Sequence, residues 1–137
     1  MENELEEIKQ KKLEKIKEQY IIERSNINQK FPKTPLEITD LNIDNLIKKY
    51  KIIVIDCWAP WCNPCRIVAP VIEELAKELY GKVVFGKLNV DENPVISTKH
   101  QIMSIPTLLV FKNGNLIDRL VGAYPKKELK IKLDTYQ

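Results

Sequence analysis

The chain has 137 residues, of which 44% are hydrophobic and 30% are charged, and it carries a net charge of +3. These values predict one globular domain with a short appendage. The small net charge, with no basic cluster interleaved with aromatic residues, argues against binding to nucleic acid or to a membrane surface.

No stretch is long and apolar enough to span a bilayer, and the charged N-terminus lacks the apolar segment of a secretory signal. We therefore expect a cytoplasmic protein whose thiols are kept reduced.

The first 30 residues are rich in both Glu and Lys and contain no Gly or Pro. Their apolar side chains recur with helical spacing on one side of the helix, at Leu5, Ile8, Leu13, Ile16 and Tyr20. We predict that residues 1–35 form an amphipathic helix and a proline-containing linker, and that residues 36–137 form the domain. The apolar side needs a partner surface. We favour docking on the chain's own domain, and hence a monomer, over pairing with a second copy or binding another protein.

The domain is predicted to contain nine elements in the order β-α-β-α-β-α-β-β-α. The strands are expected at Leu36 to Thr39, Ile52 to Ile55, from Val83, Thr107 to Phe111 and Leu116 to Val121. The helices are expected from a cap at Asp40 or Asn42 to about Tyr50, from the Cys62 region to about Tyr80, after Pro94, and from Lys126 to about Thr135. Asn113-Gly114 is a strong hairpin signal. This alternation predicts an α/β fold, with a mixed central sheet and helices on both faces.

The chain has three cysteines, Cys57, Cys62 and Cys65, and this odd number argues against a framework of structural disulfides. Metal binding and redox chemistry remain as the possible functions of these cysteines. Structural zinc needs four ligands, and His100 is the only histidine. Haem attachment needs a histidine directly after the second cysteine, where this chain has Arg66. A dithiol at a strand-to-helix junction is the interpretation that remains.

Cys62 is predicted to lie at the N-terminus of a helix, where free N–H groups and the helix dipole stabilise a thiolate. Only the thiolate attacks a disulfide sulfur. Cys65 lies one turn further along, is expected to be less exposed, and could resolve the mixed disulfide. Pro64 fits the first helical turn, since its missing N–H would be unpaired there in any case.

The run from Val54 to Arg66, VIDCWAPWCNPCR, resembles the active-site stretch of the thioredoxin family, and the resemblance covers about residues 36–137. The other segments that carry it are Ala69-Pro70, Lys87-Leu88-Asn89-Val90-Asp91, Ser104-Ile105-Pro106-Thr107, Gly114 and Gly122. The resemblance implies the thioredoxin fold and the reduction of disulfides in protein substrates. It also implies that a thioredoxin reductase recharges the chain, and that no cofactor is needed beyond a Cys62–Cys65 redox disulfide.

The resemblance also implies roles by position. Cys62, Cys65 and Asp56 are the catalytic residues, and Asp56 is the buried acid that exchanges a proton with the resolving cysteine. Burial should raise the pKa of this carboxyl toward neutrality. Pro106 corresponds to the family's cis-proline, and Ile105 to the residue whose backbone pairs with substrate. The remaining positions line the same groove or support the site: Trp61, Gly122, Ala123, Asn63, Pro64 and Lys87.

The sequence departs from the common family pattern at three places. Asn63-Pro64 replaces Gly-Pro, Arg66 replaces Lys, and Cys57 replaces an aromatic residue and is expected to serve as core packing. Because no histidine separates the cysteines, we expect a reductant. An oxidase or isomerase, and a binding module that uses the fold as a scaffold, are the alternatives.

Overall fold

The computed structural model describes residues 2–137, with side chains described for residues 3–20 and 31–137. It contains two compact units, and the boundary between them lies between Phe31 and Pro32. The first unit is helix α1, Glu2–Lys30. Within the second unit the Lys33 ammonium lies 5.2 Å from the centre of the Tyr80 ring. The proline-containing segment that we predicted as a linker therefore packs with the second unit.

The second unit is built on a five-stranded sheet with the spatial order β1-β3-β2-β4-β5. The strands are β1 Leu36–Ile38, β2 Ile52–Trp58, β3 Val84–Asn89, β4 Thr107–Lys112 and β5 Asn115–Val121. The pairs β1–β3 and β3–β2 are parallel, and the pairs β2–β4 and β4–β5 are antiparallel. The predicted order of elements and the mixed sheet are confirmed.

Four helices accompany the sheet: α2 Ile43–Lys49, α3 Asn63–Glu78, α4 Pro94–Lys99 and α5 Lys126–Tyr136. Helix α3 ends at Glu78 with Leu79 as its C-cap, slightly before the predicted end near Tyr80. Gly81 lies in the following turn with φ +84, a backbone conformation that glycine adopts without strain. Asn113 and Gly114 both have positive φ, as the predicted hairpin turn requires. Among residues 2–137, no helix has the length and apolar content that a membrane crossing would demand.

Of the two predicted caps of α2, Asn42 occupies the N-cap position, but its side chain makes no capping hydrogen bond. The Asp40 carboxylate instead accepts hydrogen bonds from the N–H groups of Val95 and Ile96, at 3.2 and 2.9 Å, in the first turn of α4. Asp40 therefore caps a helix that begins more than 50 residues further along the chain.

Strand β2 lies in the middle of the sheet, and its residues from Ile52 to Cys57 are all buried. Ile52 and Val54 belong to the main apolar cluster, together with side chains of α3 and α5. Successive side chains of a strand point to opposite faces, so Asp56 lies on the α3 side of the sheet and Cys57 on the other. The strand ends at Trp58, and a short loop connects it to the start of α3.

Candidate active site

Cys62 and Cys65 lie in the first turn of α3 and are joined by a disulfide, with their Cα atoms 5.3 Å apart. Cys62 is the N-cap residue, with extended backbone angles of φ −89 and ψ 109. Its Sγ accepts a hydrogen bond from the Cys65 N–H at 3.2 Å. Asn63 and Pro64 are the first residues of the helix, where proline costs no hydrogen bond. The predicted strand-to-helix placement of the pair is therefore present.

The two cysteines are almost equally buried in this oxidised form, at 4% and 3% exposure. We expected Cys65 to be less exposed than Cys62, and the structure shows no such difference between them. The difference between them is positional. Cys62 is at the cap, where the Cys65 N–H and the helix dipole both favour negative charge on sulfur.

Asp56 is buried beneath this turn, with 1% of its surface exposed. Neither of its carboxylate oxygens has a hydrogen-bond partner among the described residues. Burial raises the pKa of Asp56 from its ordinary value of 3.8 to about 6, while the positive charge of Lys87 acts in the opposite direction. A carboxyl with this pKa can both hold and release a proton near neutral pH.

Lys87 is the direct neighbour of Asp56 in the ladder between β2 and β3. Its ammonium lies 5.2 Å from the centre of the Trp58 ring, a cation–π arrangement. The expected proximity of Lys87 to Asp56 is confirmed by this register, and the ring provides the ammonium with a second favourable contact.

A cavity of about 320 Å³ adjoins both Asp56 and the second cysteine. Its lining residues are Asp56, Trp58, Ala59, Pro60, Cys65, Arg66, Ala69 and Lys87. A water molecule occupies about 30 Å³ of liquid, so this volume is large enough for water to connect the two groups. The geometry allows a proton to pass between the Cys65 thiol and the Asp56 carboxylate.

The peptide bond between Ile105 and Pro106 is cis, as the resemblance implied. The next residue, Thr107, pairs with Cys57, so Pro106 lies beside the end of β2 where the active-site turn begins. The N–H of Gly122 donates to the Pro106 carbonyl at 2.9 Å. The structure thus brings together the groove residues near Pro106 and Gly122, which lie far apart in sequence.

Trp61 directly precedes the cysteine pair and is 68% exposed. Its Nε1–H donates to the Asp91 carboxylate at 3.0 Å. Sequence reasoning did not assign Asp91 to the site, and the one available signal was its position just after β3. The Arg66 guanidinium donates to the Pro60 carbonyl at 3.1 Å and so ties the start of α3 to the loop before it.

Among residues 3–20 and 31–137, no three His, Cys, Asp or Glu side chains are grouped so that they could hold a metal ion.

Cys57 is a free, fully buried cysteine on the opposite face of β2 from Asp56. Burial raises the pKa of its thiol to about 12, and the nearby Asp56 charge acts in the same direction. A thiol with such a pKa carries almost no thiolate at neutral pH, which is the reactive form. This agrees with the predicted packing role.

We therefore expect Cys57 to resist a thiol-alkylating reagent in the native, reduced protein while Cys62 reacts. Peptide mapping after brief labelling should recover the label on Cys62, and on Cys57 only when denaturant is added. Rapid labelling of Cys57 in the folded chain, or a native disulfide that includes it, would contradict this prediction.

Comparison with known proteins identifies the domain. The profile of the Thioredoxin family matches residues 34–135. A thioredoxin from Staphylococcus aureus is 45% identical over 101 residues, which cover 74% of this chain and 96% of that protein. The "Thioredoxin M-type, chloroplastic" of Pisum sativum is 54% identical over 84 residues, 61% of this chain and 49% of that protein.

Among solved structures, a single-site mutant of thioredoxin from Halobacterium salinarum superimposes with a TM-score of 0.73 at 28% identity. That alignment covers 77% of this chain and 93% of the other. With the paired cysteines at the start of α3, these matches make the chain a thiol–disulfide oxidoreductase, and it belongs to the thioredoxin family.

Proposed function

We propose that this chain is a protein-disulfide reductase in which Cys62 attacks the substrate, Cys65 resolves the mixed disulfide, and a thioredoxin reductase restores the dithiol. The observation that supports this most strongly is the combination of two features. Cys62 caps α3, and Cys65 shares a cavity with a carboxyl whose pKa is about 6.

In the first step the Cys62 thiolate attacks one sulfur of a substrate disulfide, forming a mixed disulfide and releasing the other substrate sulfur as a thiolate. Asp56 then accepts the proton of the Cys65 thiol through the cavity. The resulting Cys65 thiolate attacks Sγ of Cys62, which releases the second substrate sulfur and closes the Cys62–Cys65 disulfide. Two electrons have moved from the dithiol to the substrate.

The substrate chain would lie in the groove beside the cysteine pair. The residues that we assign to this groove are Trp61, Ile105, Pro106, Gly122 and Ala123. Two hydrogen bonds restrain these residues: the Gly122 N–H donates to the Pro106 carbonyl, and the Trp61 indole N–H donates to the Asp91 carboxylate. A cytoplasmic location fits a reductase, because thiols are kept reduced there. The Pisum sativum relative is, by its name, chloroplastic.

The test is reduction of insulin with NADPH and a thioredoxin reductase, followed by measurement of the reduction potential. We expect reduction of insulin and a potential near −270 mV, on the order of that of reducing thioredoxins. A potential of about −120 mV would indicate an oxidase instead. Absence of any disulfide exchange would indicate a binding module.

Removal of residues 1–32 should leave this activity intact. Every residue that we assign to the chemistry belongs to the second compact unit, which begins at Pro32. A chain that begins at Lys33 should therefore reduce insulin at close to the full-length rate, measured in the same assay. If the shortened chain is folded but inactive, the helix belongs to the active machinery and our division of the chain is wrong.

A further inference from the structure

The loop between α4 and β4, residues 100–106, carries Ile105 and Pro106, which we assign to the substrate groove. It begins with a turn of unusual backbone geometry. Gln101 has φ +50, in the left-handed region that residues other than glycine rarely adopt. A residue stays in this region only where the surrounding structure holds it there. The contacts that hold Gln101 therefore also determine where the loop begins.

Arg119 lies on β5, the edge strand of the sheet, and its side chain contacts this turn. The guanidinium donates hydrogen bonds to the Gln101 carbonyl, at 3.3 Å, and to the His100 carbonyl. His100 is the C-cap residue of α4, where carbonyl groups lack partners within the helix and the helix dipole favours a positive charge. One side chain thus satisfies two carbonyls at the place where α4 ends and the loop begins.

Helix α4 depends on such outside contacts because it has only six residues, too few to be stable alone. The Asp40 carboxylate caps its first turn, and Arg119 caps its last. At the other end of the loop, the N–H of Gly122 donates to the Pro106 carbonyl at 2.9 Å. Gly122 directly follows β5, so this strand and the residue after it secure both ends of the loop.

We propose that Arg119 is a positioning residue for the binding of protein substrates, because it holds the start of the loop that carries Ile105 and Pro106. This inference rests on the proposed function, since it uses the groove assigned there. A groove that is ordered before binding binds more tightly than one that must be ordered by the substrate. A small disulfide reaches little beyond the cysteine pair, so it gains almost nothing from an ordered loop.

The test compares a protein substrate with a small one in single turnovers of the fully reduced chain, so that no recharging enzyme is needed. Arg119→Met keeps an unbranched side chain and removes the guanidinium. Because Arg119 is exposed and water competes for its hydrogen bonds, we expect the half-saturating insulin concentration to rise by about fivefold, with a nearly unchanged limiting rate. The rate with hydroxyethyl disulfide should stay at the wild-type value. Arg119→Lys retains the charge and should recover part of the loss.

The matched control is Lys99→Met, which removes one positive charge from the last turn of α4 and leaves the hydrogen bonds of Arg119 in place. It should keep the half-saturating concentration of the wild type. Hydrogen exchange provides a readout that does not depend on catalysis. Arg119→Met should speed exchange at the N–H groups of Gln101 and Ile102 by about tenfold and leave the protection of β2 unchanged.

Three results would overturn the inference: an unchanged half-saturating insulin concentration in Arg119→Met, an equal loss with both substrates, or faster exchange in the loop without weaker insulin binding. If the wild-type chain reduces insulin and the Arg119 variants match it, only the role of Arg119 is wrong. If the wild-type chain does not reduce insulin at all, the proposed function fails and this inference fails with it.

Discussion

Cys62→Ser is expected to abolish reduction of protein disulfides, whereas Cys65→Ser should yield a chain that becomes trapped on its substrate through Cys62. Loss of the attacking sulfur should lower turnover by about three orders of magnitude or more, as is usual when a nucleophile is removed. In the Cys65 variant the first exchange still occurs, but no second thiolate is present to release the product. Gel electrophoresis without reductant should show the adduct, and its disappearance on adding dithiothreitol should identify a disulfide.

The matched control is Cys57→Ala, which removes the third sulfur from the opposite face of β2 and should leave the rate of insulin reduction near that of the wild type. A limiting amount of alkylating reagent on the reduced protein should label mainly Cys62. If the label falls mainly on Cys65, or if the Cys62 variant forms the trapped adduct, then the order of attack is the reverse of the one proposed.

Asp56→Asn is expected to stabilise the fold at neutral pH and to slow the reaction. The native state raises the pKa of this carboxyl from 3.8 to about 6, so it holds the proton more tightly than the unfolded chain does. The free energy of unfolding therefore falls as the pH rises from the unfolded-state pKa to the native-state pKa. Above pH 6 this loss of stability is complete and amounts to about 3 kcal/mol. The asparagine variant has no carboxyl to titrate and lacks this loss. The difference in free energy of unfolding between the variant and the wild type should therefore shift in favour of the variant by about that amount between pH 4 and pH 7.

Denaturant unfolding of both proteins across this pH range measures the effect. The difference in pH dependence is more informative than stability at a single pH, because the asparagine amide is itself a buried polar group with a cost of its own. Equal pH dependence in the two proteins would show that the carboxyl is not the group that titrates between pH 4 and pH 6.

The kinetic part of the same prediction concerns the resolving step. If Asp56 accepts the Cys65 proton, release of a preformed mixed disulfide should be slower by about 100-fold in the asparagine variant. Its rate should also lose the inflection near pH 6 that the wild type shows. An unchanged profile would leave Asp56 with a structural role only.

The parts of this molecule that could be predicted from sequence are those whose cause is local. Strand β2 is a continuous apolar run, and such a run is typical of a strand buried on both faces. The hairpin at Asn113-Gly114 depends only on its own backbone angles. The position of Cys62 at a helix start follows from the strand before it and from Pro64 after it. Each of these features is encoded within a few residues.

The parts that could not be predicted depend on residues that meet only after folding. Asp40 or Asn42 was expected to cap α2, and the Asp40 carboxylate instead accepts hydrogen bonds from Val95 and Ile96 in the first turn of α4. The bond between Trp61 and Asp91 likewise joins residues 30 positions apart. Polar side chains of this kind can satisfy several partners, and the choice is made by the tertiary structure rather than by the neighbouring sequence.

The cysteines of the active site are separated by only three positions, and this short span has a consequence for the catalytic cycle. A disulfide that closes a short loop restrains the unfolded chain less than one that closes a long loop. By this effect the Cys62–Cys65 bond would add about 2 kcal/mol to the free energy of unfolding, whereas a bond that closes a loop of about 100 residues would add nearly 5 kcal/mol. Gaining or losing the bond therefore alters the conformational entropy of the unfolded chain only slightly. By this route, the free energy of unfolding should therefore differ by only about 2 kcal/mol between the oxidised and the reduced form.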